Sequence, residues 1–368
     1  MIKIGMRQIN RFAKQQCFFQ TCFRQVIESM GEMINKYELL NPFQSRNAGF
    51  SRWTLAKKGE RLFFLKELID PKYPDEELLS ESIRAGRIKE CEKFEKEKSR
   101  LYSAINTASD GNLVRLIEFF RVDSRYYVSS YWIDQAVIDL KRIARMDLKD
   151  KLLLCRTAVH SLAALHEQRI VHADIKDTNV LIHKTKNESL VTKIVDFDCS
   201  FFEDTPPDNE DDLGGDQVYL SPEACLFLCG EEVELTCKMD VFALGILLHQ
   251  FLTGDIPYFD SEKYDYAHEA VLDDVILKAD TADIPLPVRR IIENMLLKDP
   301  QKRISAKEVY FLLTTFYNQT YPVSRPLIEK EEVEISTKPS DTDKETKTSS
   351  SRLRMSKDFF QKRCPAAF

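Results

Sequence analysis

The sequence predicts an α+β fold in which a small strand-rich unit precedes a larger, mostly helical one. Between residues 37 and 132, short apolar and aromatic runs alternate with turn residues, a pattern typical of β-strands. From Asp147 onward the apolar residues are spaced mainly as in helices. The length of 368 residues and the apolar fraction of 43% allow one large or two small domains with a real core.

The elements of the first unit follow from its apolar runs and the breaks between them. The turn Lys57-Lys58-Gly59-Glu60 separates two of the runs, and Ser109-Asp110-Gly111 ends a long charged stretch that reads as a helix. The predicted elements are, in order, strands at Tyr37–Phe43, Arg52–Ala56 and Arg61–Leu68, a helix within Asp75–Ile105, and strands near Leu113–Phe120 and Tyr126–Trp132.

Both ends of the chain differ from the part between them. Residues 1–36 contain no acid before Glu28, and their apolar residues, up to Met33, recur at helical spacing, which predicts an amphipathic helical extension. We expect this helix to pack on the folded domain, although contact with a membrane surface and a role as an organelle presequence stay open. Residues 329–368 are rich in Ser, Thr, Lys and Glu, so we expect a disordered tail.

Composition excludes several classes of protein. The net charge of −6 does not favour a nucleic-acid-binding role. The nine cysteines show no paired C-x-x-C spacing, which indicates reduced thiols in an intracellular, cytoplasmic protein. No apolar run approaches the length of a membrane-spanning helix, and no secretory signal is recognisable.

One stretch supplies the groups that phosphoryl transfer needs, at fixed spacing. It reads Val171-His172-Ala173-Asp174-Ile175-Lys176-Asp177-Thr178-Asn179-Val180-Leu181, and Val195-Asp196-Phe197-Asp198 follows it. The carboxylate of Asp174 can accept the proton of an attacking hydroxyl, and Lys176 offers a cation to the transferred phosphate. Asn179 and Asp196 offer oxygen atoms to a magnesium ion. Short apolar runs flank both loops and predict strands that hold them in place.

These two motifs resemble the catalytic loop and the metal loop of the protein kinases, His-Arg-Asp-x-Lys-x-x-Asn and Asp-Phe-Gly. Ala173 stands in place of the arginine, and Asp198 in place of the glycine. The resemblance covers about residues 37–318. It implies a two-lobed protein-kinase-like fold, with a small strand-rich N-lobe at about 37–133 and a larger helical C-lobe at about 134–318.

The resemblance also implies the reaction and its cofactors. Lys176, two residues after the catalytic aspartate, follows the pattern of the serine/threonine kinases, so ATP, Mg²⁺ and a protein substrate are expected. The irregular glycine loop and the sequence Asp-Phe-Asp look more like a bacterial kinase of the eukaryotic type than an animal one.

The nucleotide-binding residues are carried over by position. Lys66, at the end of a predicted strand, matches the lysine that contacts the nucleotide phosphates. Its partner should be a glutamate on the next helix, for which Glu97 is the first choice and Glu92 and Glu95 are alternatives. Ser129 matches the small residue at the back of the adenine pocket.

The loop that covers the phosphates is the least regular match. Ala48, Gly49 and Ser51 fall where the family has a glycine-rich loop, and small residues there let backbone N–H groups approach phosphates. Trp53 and Phe64 replace smaller residues, which narrows the pocket from above. Asp198 is expected to favour an inactive, flipped metal loop, because glycine accepts backbone angles that aspartate reaches only at a cost.

Two further matches concern the scaffold. Glu223, in Ser221-Pro222-Glu223, resembles the end of a kinase activation segment and should form a buried ion pair with Arg303. Asp240 resembles the helix aspartate that holds the backbone of the catalytic loop.

Three functions remain open at this stage. The first is an active serine/threonine kinase; the second is a pseudokinase scaffold that binds nucleotide, favoured by the poor glycine loop and Asp198. The third is a kinase with the same fold acting on a small molecule. Acidic residues crowd the activation segment, so we expect a protein substrate with basic flanking residues.

Overall fold

The computed structural model describes residues 32–45, 51–74, 80–109, 111–136, 138–279 and 284–322. Most of the predicted N-terminal helical extension and the whole predicted disordered tail lie outside these residues, as do Ala48 and Gly49. Where the extension ends, the structure differs from the prediction. Met33–Ile34 form a strand that pairs with Tyr37 and Glu38, because the chain turns back at Asn35-Lys36.

A six-stranded antiparallel sheet forms the first part of the described chain. Its strand order is β1-β2-β3-β4-β6-β5, so consecutive strands are mostly neighbours. The strands are β1 (Met33–Ile34), β2 (Tyr37–Leu39), β3 (Ser51–Lys58), β4 (Arg61–Leu68), β5 (Leu116–Val122) and β6 (Arg125–Tyr131).

The two faces of this sheet bury different groups, because side chains alternate along each strand. One face carries an aromatic and aliphatic cluster that includes Tyr37, Phe63, Leu65 and Tyr127. The opposite face contacts helix α1 (Glu81–Ala108), which lies between β4 and β5 in sequence. There Leu68 and Tyr126 pack against Cys91 of the helix.

Helices dominate the second part of the described chain. Helix α5 (Lys238–Thr253) is buried over nearly its whole length and belongs to the largest core cluster. The helices after α1 are α2 (Leu140–Ala144), α3 (Leu148–Glu167), α4 (Pro222–Leu228), α5 (Lys238–Thr253), α6 (Ala267–Leu272), α7 (Leu286–Met295) and α8 (Ala306–Thr320).

Two short strand pairs frame the predicted catalytic and metal loops. Strand β7 (Ile170–Val171) pairs with β10 (Phe201–Phe202), and β8 (Val180–Lys184) pairs with β9 (Leu190–Ile194). The catalytic loop therefore runs from β7 to β8, and the metal loop runs from β9 to β10. The apolar runs that flank the motifs form strands, as the sequence predicts.

A membrane-spanning helix is not found in the described part of the chain, where no helix combines sufficient length with sufficient apolar character.

Candidate active site

The catalytic loop is fastened to helix α5 through its backbone. Asp240, in the first turn of α5 and 1% exposed, accepts hydrogen bonds from the N–H groups of His172 (2.7 Å) and Ala173 (2.9 Å). Its Oδ2 also lies 3.0 Å from Nε2 of His166. Asp240 therefore does what the sequence predicts for it.

Asp174 lies at the centre of the loop with one carboxylate oxygen engaged. Lys176 Nζ donates to its Oδ2 at 2.6 Å, and Asn179 Nδ2 donates to the same atom at 2.8 Å. The other oxygen, Oδ1, is buried and has no hydrogen-bond partner among the residues that the structure describes. Burial raises the pKa of Asp174 above its ordinary value, although Lys176 acts in the opposite direction. A buried carboxylate oxygen of this kind can accept a proton from a substrate.

The catalytic and metal loops are joined by their backbones and by His172. Val195 donates its N–H to the carbonyl of Asn179 at 2.9 Å, which places Asn179 beside Asp196. The His172 ring lies with Nε2 3.0 Å from the Val195 carbonyl, while its Nδ1 accepts the N–H of Asp174 at 3.2 Å. The imidazole therefore holds the two loops in register.

Asn179 and Asp196 fit a magnesium site. Asn179 uses its amide nitrogen on Asp174, so its amide oxygen is the atom that can serve a cation. Asp196 has a left-handed backbone (φ 68°) and a side chain that is 22% exposed. Mg²⁺ in such sites takes one or two protein carboxylates and completes its shell with phosphates and water. The described residues contain no cluster of three or more His, Cys, Asp or Glu that could hold a metal ion.

Lys66 lies near the C-terminal end of β4, as the sequence predicts, and is 7% exposed. Its Nζ donates to Oδ1 of Asp196 at 2.6 Å and to Oδ2 of Asp198 at 2.7 Å. Burial alone would lower the pKa of Lys66, but the charges of Asp198 and Asp196 outweigh it and raise that pKa. The lysine is therefore charged and held by the metal loop.

The prediction of Glu97 as the partner of Lys66 is wrong. The Glu97 side chain is 63% exposed and lies 3.8 Å from Lys93 on the solvent side of α1. Of the two alternatives, Glu95 accepts a hydrogen bond from Tyr126 at 2.8 Å, and Glu92 is exposed. Each helix residue turns by about 100°, so the face of α1 nearest Lys66 carries the neighbour of Glu97 instead.

That neighbour is Lys98, which sequence reasoning missed. Its Nζ donates to the backbone carbonyl of Asp198 at 2.9 Å. Burial lowers the pKa of Lys98, and the charge of Asp198 opposes this effect. The helix thus presents a cation to the site where the family resemblance predicts a carboxylate.

Asp198 is a contact point within the folded site, and the backbone cost expected of an aspartate at this position is absent. Ser51 Oγ donates to Oδ2 of Asp198 at 2.7 Å, beside the bond from Lys66. Burial pushes the pKa of Asp198 upward, but the charge and hydrogen bond of Lys66 outweigh it and lower that pKa. Asp198 does not have the positive φ at which glycine would be preferred, so its backbone carries no such strain.

Of the three predicted loop residues, only Ser51 can be placed. It begins β3, is 1% exposed and faces the site through Asp198. Ala48 and Gly49 remain predictions, since they lie outside the described residues.

Ser129 is not at the nucleotide-facing position predicted for it. Its hydroxyl lies 2.8 Å from the hydroxyl of Tyr37, within the aromatic cluster on the far face of the sheet. The register of β4 and β6 pairs Phe64 with Ser130 and Lys66 with Val128, so these residues share the face of Lys66. A shift of one residue along a strand moves a side chain to the other face. Ser130, 8% exposed, is the small residue on the face of Lys66.

Trp53 and Phe64, the two bulky residues predicted to narrow the nucleotide pocket, contact each other. The rings of Trp53 and Phe64 stack with centroids 5.2 Å apart and an interplanar angle of 23°. They occupy neighbouring strands on the same face as Lys66, because Trp53 pairs directly with Lys66 in the sheet.

The predicted scaffold pair is present. Arg303 binds Glu223 with two hydrogen bonds, Nη1 to Oε1 at 2.6 Å and Nη2 to Oε2 at 3.1 Å. The side chains are 0% and 5% exposed, so the pair joins the start of α4 to the loop before α8 inside the core.

The sequence of the chain matches the family model described as protein kinase domain over residues 82–311. The chain belongs to the protein kinase family. Among relatives of this kinase, calcium-dependent protein kinase 27 of Arabidopsis thaliana is 25% identical over 299 residues, which cover 78% of this chain and 56% of the relative. Aurora kinase of Schizosaccharomyces pombe is 26% identical over 219 residues, covering 59% of this chain and 58% of the relative.

A third relative is named as a kinase that acts on serine and threonine. The serine/threonine-protein kinase ssp1 of Schizosaccharomyces pombe is 31% identical over 160 residues, which cover 42% of this kinase and 24% of the relative. The predicted family and its serine/threonine type are thereby confirmed. The chain spans 56%, 58% and 24% of the length of these three relatives, in the order given.

Proposed function

We propose that this kinase has the two-lobed fold of its family, with a catalytic domain at about residues 37–318, and is an ATP- and Mg²⁺-dependent serine/threonine protein kinase. It transfers the γ-phosphate of ATP to a protein hydroxyl, and the cysteine pattern favours the cytoplasm as its compartment. The observation that carries this proposal is the buried Oδ1 of Asp174, which has no hydrogen-bond partner among the described residues and lies next to the cation of Lys176 and the amide of Asn179.

Asp174 orients the substrate hydroxyl and accepts its proton. The hydroxyl oxygen attacks the γ-phosphorus, the bond to the β-phosphate oxygen breaks, and ADP leaves. Lys176 neutralises negative charge on the transferred group, since its Nζ lies 2.6 Å from the carboxylate that receives the proton. Both side chains are positioned by strands β7 and β8 on either side of the loop.

Asn179 and Asp196 would hold the magnesium ion, which neutralises charge on the phosphates when bound. Lys66 reaches the same point from β4 and supplies a positive charge for the nucleotide phosphates. Three elements from different parts of the sequence therefore converge on the position of the phosphates.

The stacked pair Trp53 and Phe64 favours a second candidate function, a pseudokinase scaffold. These rings narrow the space above the adenine position, which would weaken nucleotide binding. Retention of Lys66, Asp174, Asn179 and Asp196 supports catalysis, because a scaffold needs none of them.

The proposal is tested by incubating the purified protein with radiolabelled ATP, magnesium and a mixture of basic and acidic protein substrates. We expect phosphate on serine or threonine, with losses of about two to four orders of magnitude for Asp174→Asn and Asp196→Ala. Glu97→Gln is the matched control and should keep wild-type activity, because its side chain faces solvent.

The two variants should also differ from each other in nucleotide binding. Asp174→Asn should keep magnesium-dependent nucleotide affinity, whereas Asp196→Ala should lose it, since of these two aspartates only Asp196 would hold the metal. Binding without turnover by the wild-type protein would favour the scaffold. Transfer to small molecules alone would favour a small-molecule kinase.

A further inference from the structure

Lys66 finds its anions in the metal loop rather than on helix α1. Asp196 Oδ1 lies 2.6 Å and Asp198 Oδ2 lies 2.7 Å from its Nζ. Helix α1 contributes Lys98, which donates to the carbonyl of Asp198 at 2.9 Å. Asp198 therefore lies between two lysines: its carboxylate binds Lys66 of the strand, and its backbone carbonyl binds Lys98 of the helix.

Asp198 is held from three directions. Lys66 on β4 and Ser51 on β3 both donate to its Oδ2, and Lys98 on α1 donates to its backbone. Its side chain is 10% exposed, so the carboxylate is well removed from water. A buried carboxylate with two side-chain donors is fixed in place, and it fixes the donors in turn.

The carboxylates of Asp196 and Asp198 would have different roles once nucleotide binds. Asp196 would hold the magnesium ion, so its carboxylate would be shared between the metal and Lys66. Asp198 remains as the anion that keeps Lys66 extended toward the phosphates. Without the Asp198 carboxylate, Lys66 would keep only Asp196 as an anion, and no carboxylate would offset the repulsion between Lys66 and Lys98.

We propose that Asp198 is the positioning residue for Lys66, in place of the absent helix glutamate, and that Lys98 connects helix α1 to the same residue through its backbone carbonyl. This inference rests on the proposed function and deepens it. It assigns a role to the departure from the family's Asp-Phe-Gly motif. Helix α1 then contacts the metal loop through a lysine rather than through a glutamate.

Helix α1 has a second attachment that does not use Asp198. The guanidinium of Arg100 lies 4.0 Å from the ring centroid of Phe202 in β10. Removal of the Lys98 amine therefore leaves the helix with another contact to the same region. This makes Lys98 variants informative about Lys66 rather than only about the docking of the helix.

The test compares five variants of the whole chain: Asp198→Asn, Asp198→Gly, Lys98→Ala, Lys98→Glu and the double variant Asp198→Gly/Lys98→Glu. The affinity for a fluorescent ATP analogue is titrated without turnover, and KM for ATP and kcat are measured at saturating magnesium. Asp198→Asn and Asp198→Gly should weaken nucleotide binding and raise KM by about 10- to 100-fold, as expected for the loss of a buried charged hydrogen bond.

Rescue is the result that a merely structural role would not produce. The double variant restores the charge order of the family, with a carboxylate on the helix and glycine in the loop. It should return the nucleotide affinity to within about threefold of wild type, whereas Lys98→Glu alone should weaken it, because two carboxylates then face each other. Glu97→Gln, one residue away on the exposed side of α1, should change nothing.

Three results would overturn the inference. One is wild-type nucleotide affinity in Asp198→Asn, the nearly isosteric variant that decides the matter if the glycine variant fails to fold. Another is a double variant no better than Asp198→Gly. The last is an increased magnesium requirement with unchanged KM for ATP, which would make Asp198 a metal ligand.

These results are separable from failure of the proposed function. If the wild-type protein binds nucleotide but transfers no phosphate, the proposed kinase activity is wrong, and the affinity series still decides the role of Asp198. A wild-type protein that binds no nucleotide would overturn both.

Discussion

Ala173 donates its backbone N–H to Oδ1 of Asp240 at 2.9 Å. The catalytic loop is therefore held through its backbone at a residue whose side chain carries no charge. The backbone at Ala173 is left-handed, with φ at 66°. Left-handed alanine is unfavourable on its own, so contacts such as this one hold the loop in place. The position of Asp174 therefore depends on a buried aspartate in another helix.

Asp240→Asn should lower both activity and stability. An amide NH₂ in place of one carboxylate oxygen would face a backbone N–H, which leaves a buried donor unsatisfied at a cost of about 1–3 kcal/mol. We expect kcat to fall by about tenfold or more and the thermal midpoint to fall by several degrees. Asp255→Asn, an exposed aspartate just beyond the C-terminal end of α5, is the control and should leave both unchanged.

Activity should not depend on phosphorylation of the activation segment. Ala173 replaces the family's arginine, and residues 194–237 hold thirteen acids and no lysine or arginine. A phosphate on the exposed Thr205 would meet like charge. Phosphatase-treated enzyme and Thr205→Ala should keep at least about half of the wild-type rate. Complete loss, reversed by phosphorylation at Thr205, would contradict this.

The acid limb of the pH–rate profile should report Asp174. Burial raises its pKa, and only the ionised carboxylate accepts a proton, so activity falls as the pH drops through this raised value. Lys176 lowers the same pKa, so Lys176→Met should move the acid limb to higher pH as well as reduce kcat. The measurement is kcat/KM for the protein substrate between about pH 4 and 8; an acid limb that stays in place would contradict the assignment.

Breaking the buried pair of Glu223 and Arg303 should destabilise the fold strongly. Arg303→Met leaves a carboxylate buried without its partner, which costs about 3–5 kcal/mol in chemical denaturation. The exposed pair Lys307 and Glu167, 3.0 Å apart, is the matched control, and Lys307→Met should cost less than about 1 kcal/mol. In Glu223→Gln/Arg303→Met the loss should be smaller than the sum of the single losses, because the two residues are coupled.

Basic peptides should be preferred as substrates. The exposed acids Asp204, Asp208, Glu210, Asp211 and Asp212 lie together on the activation segment and attract positive charge. On a peptide array, arginine or lysine near the acceptor should raise kcat/KM about tenfold at low salt, and Asp211→Asn/Asp212→Asn should reduce this preference. A preference for acidic flanks would refute it.

One such basic sequence belongs to the chain itself. Arg352-Leu353-Arg354-Met355-Ser356 lies outside the described residues, and a tether raises its effective concentration. Mass spectrometry after incubation with ATP should find phosphate on Ser356 or on Ser349–Ser351. An unmodified tail would show that the site does not accept it.

The sequence by itself determined the residues whose spacing lies within one local motif. Asp174, Lys176 and Asn179 share a single loop between two short strands, so their relative positions follow from the chain itself. Lys66 and Asp196 were recognisable through the resemblance, because each falls at the position of a protein-kinase motif. The strand-then-helix order was also visible without coordinates.

The tertiary structure decided which side chain of a neighbouring pair enters the site. On β6, Ser130 rather than Ser129 shares the face of Lys66. On α1, Lys98 rather than Glu97 contacts the metal loop. A single residue reverses the face of a strand and turns a helix position by about 100°, and sequence spacing fixes neither to that precision. The role of Asp198 likewise depends on donors from β3, β4 and α1, which meet only when the chain is folded.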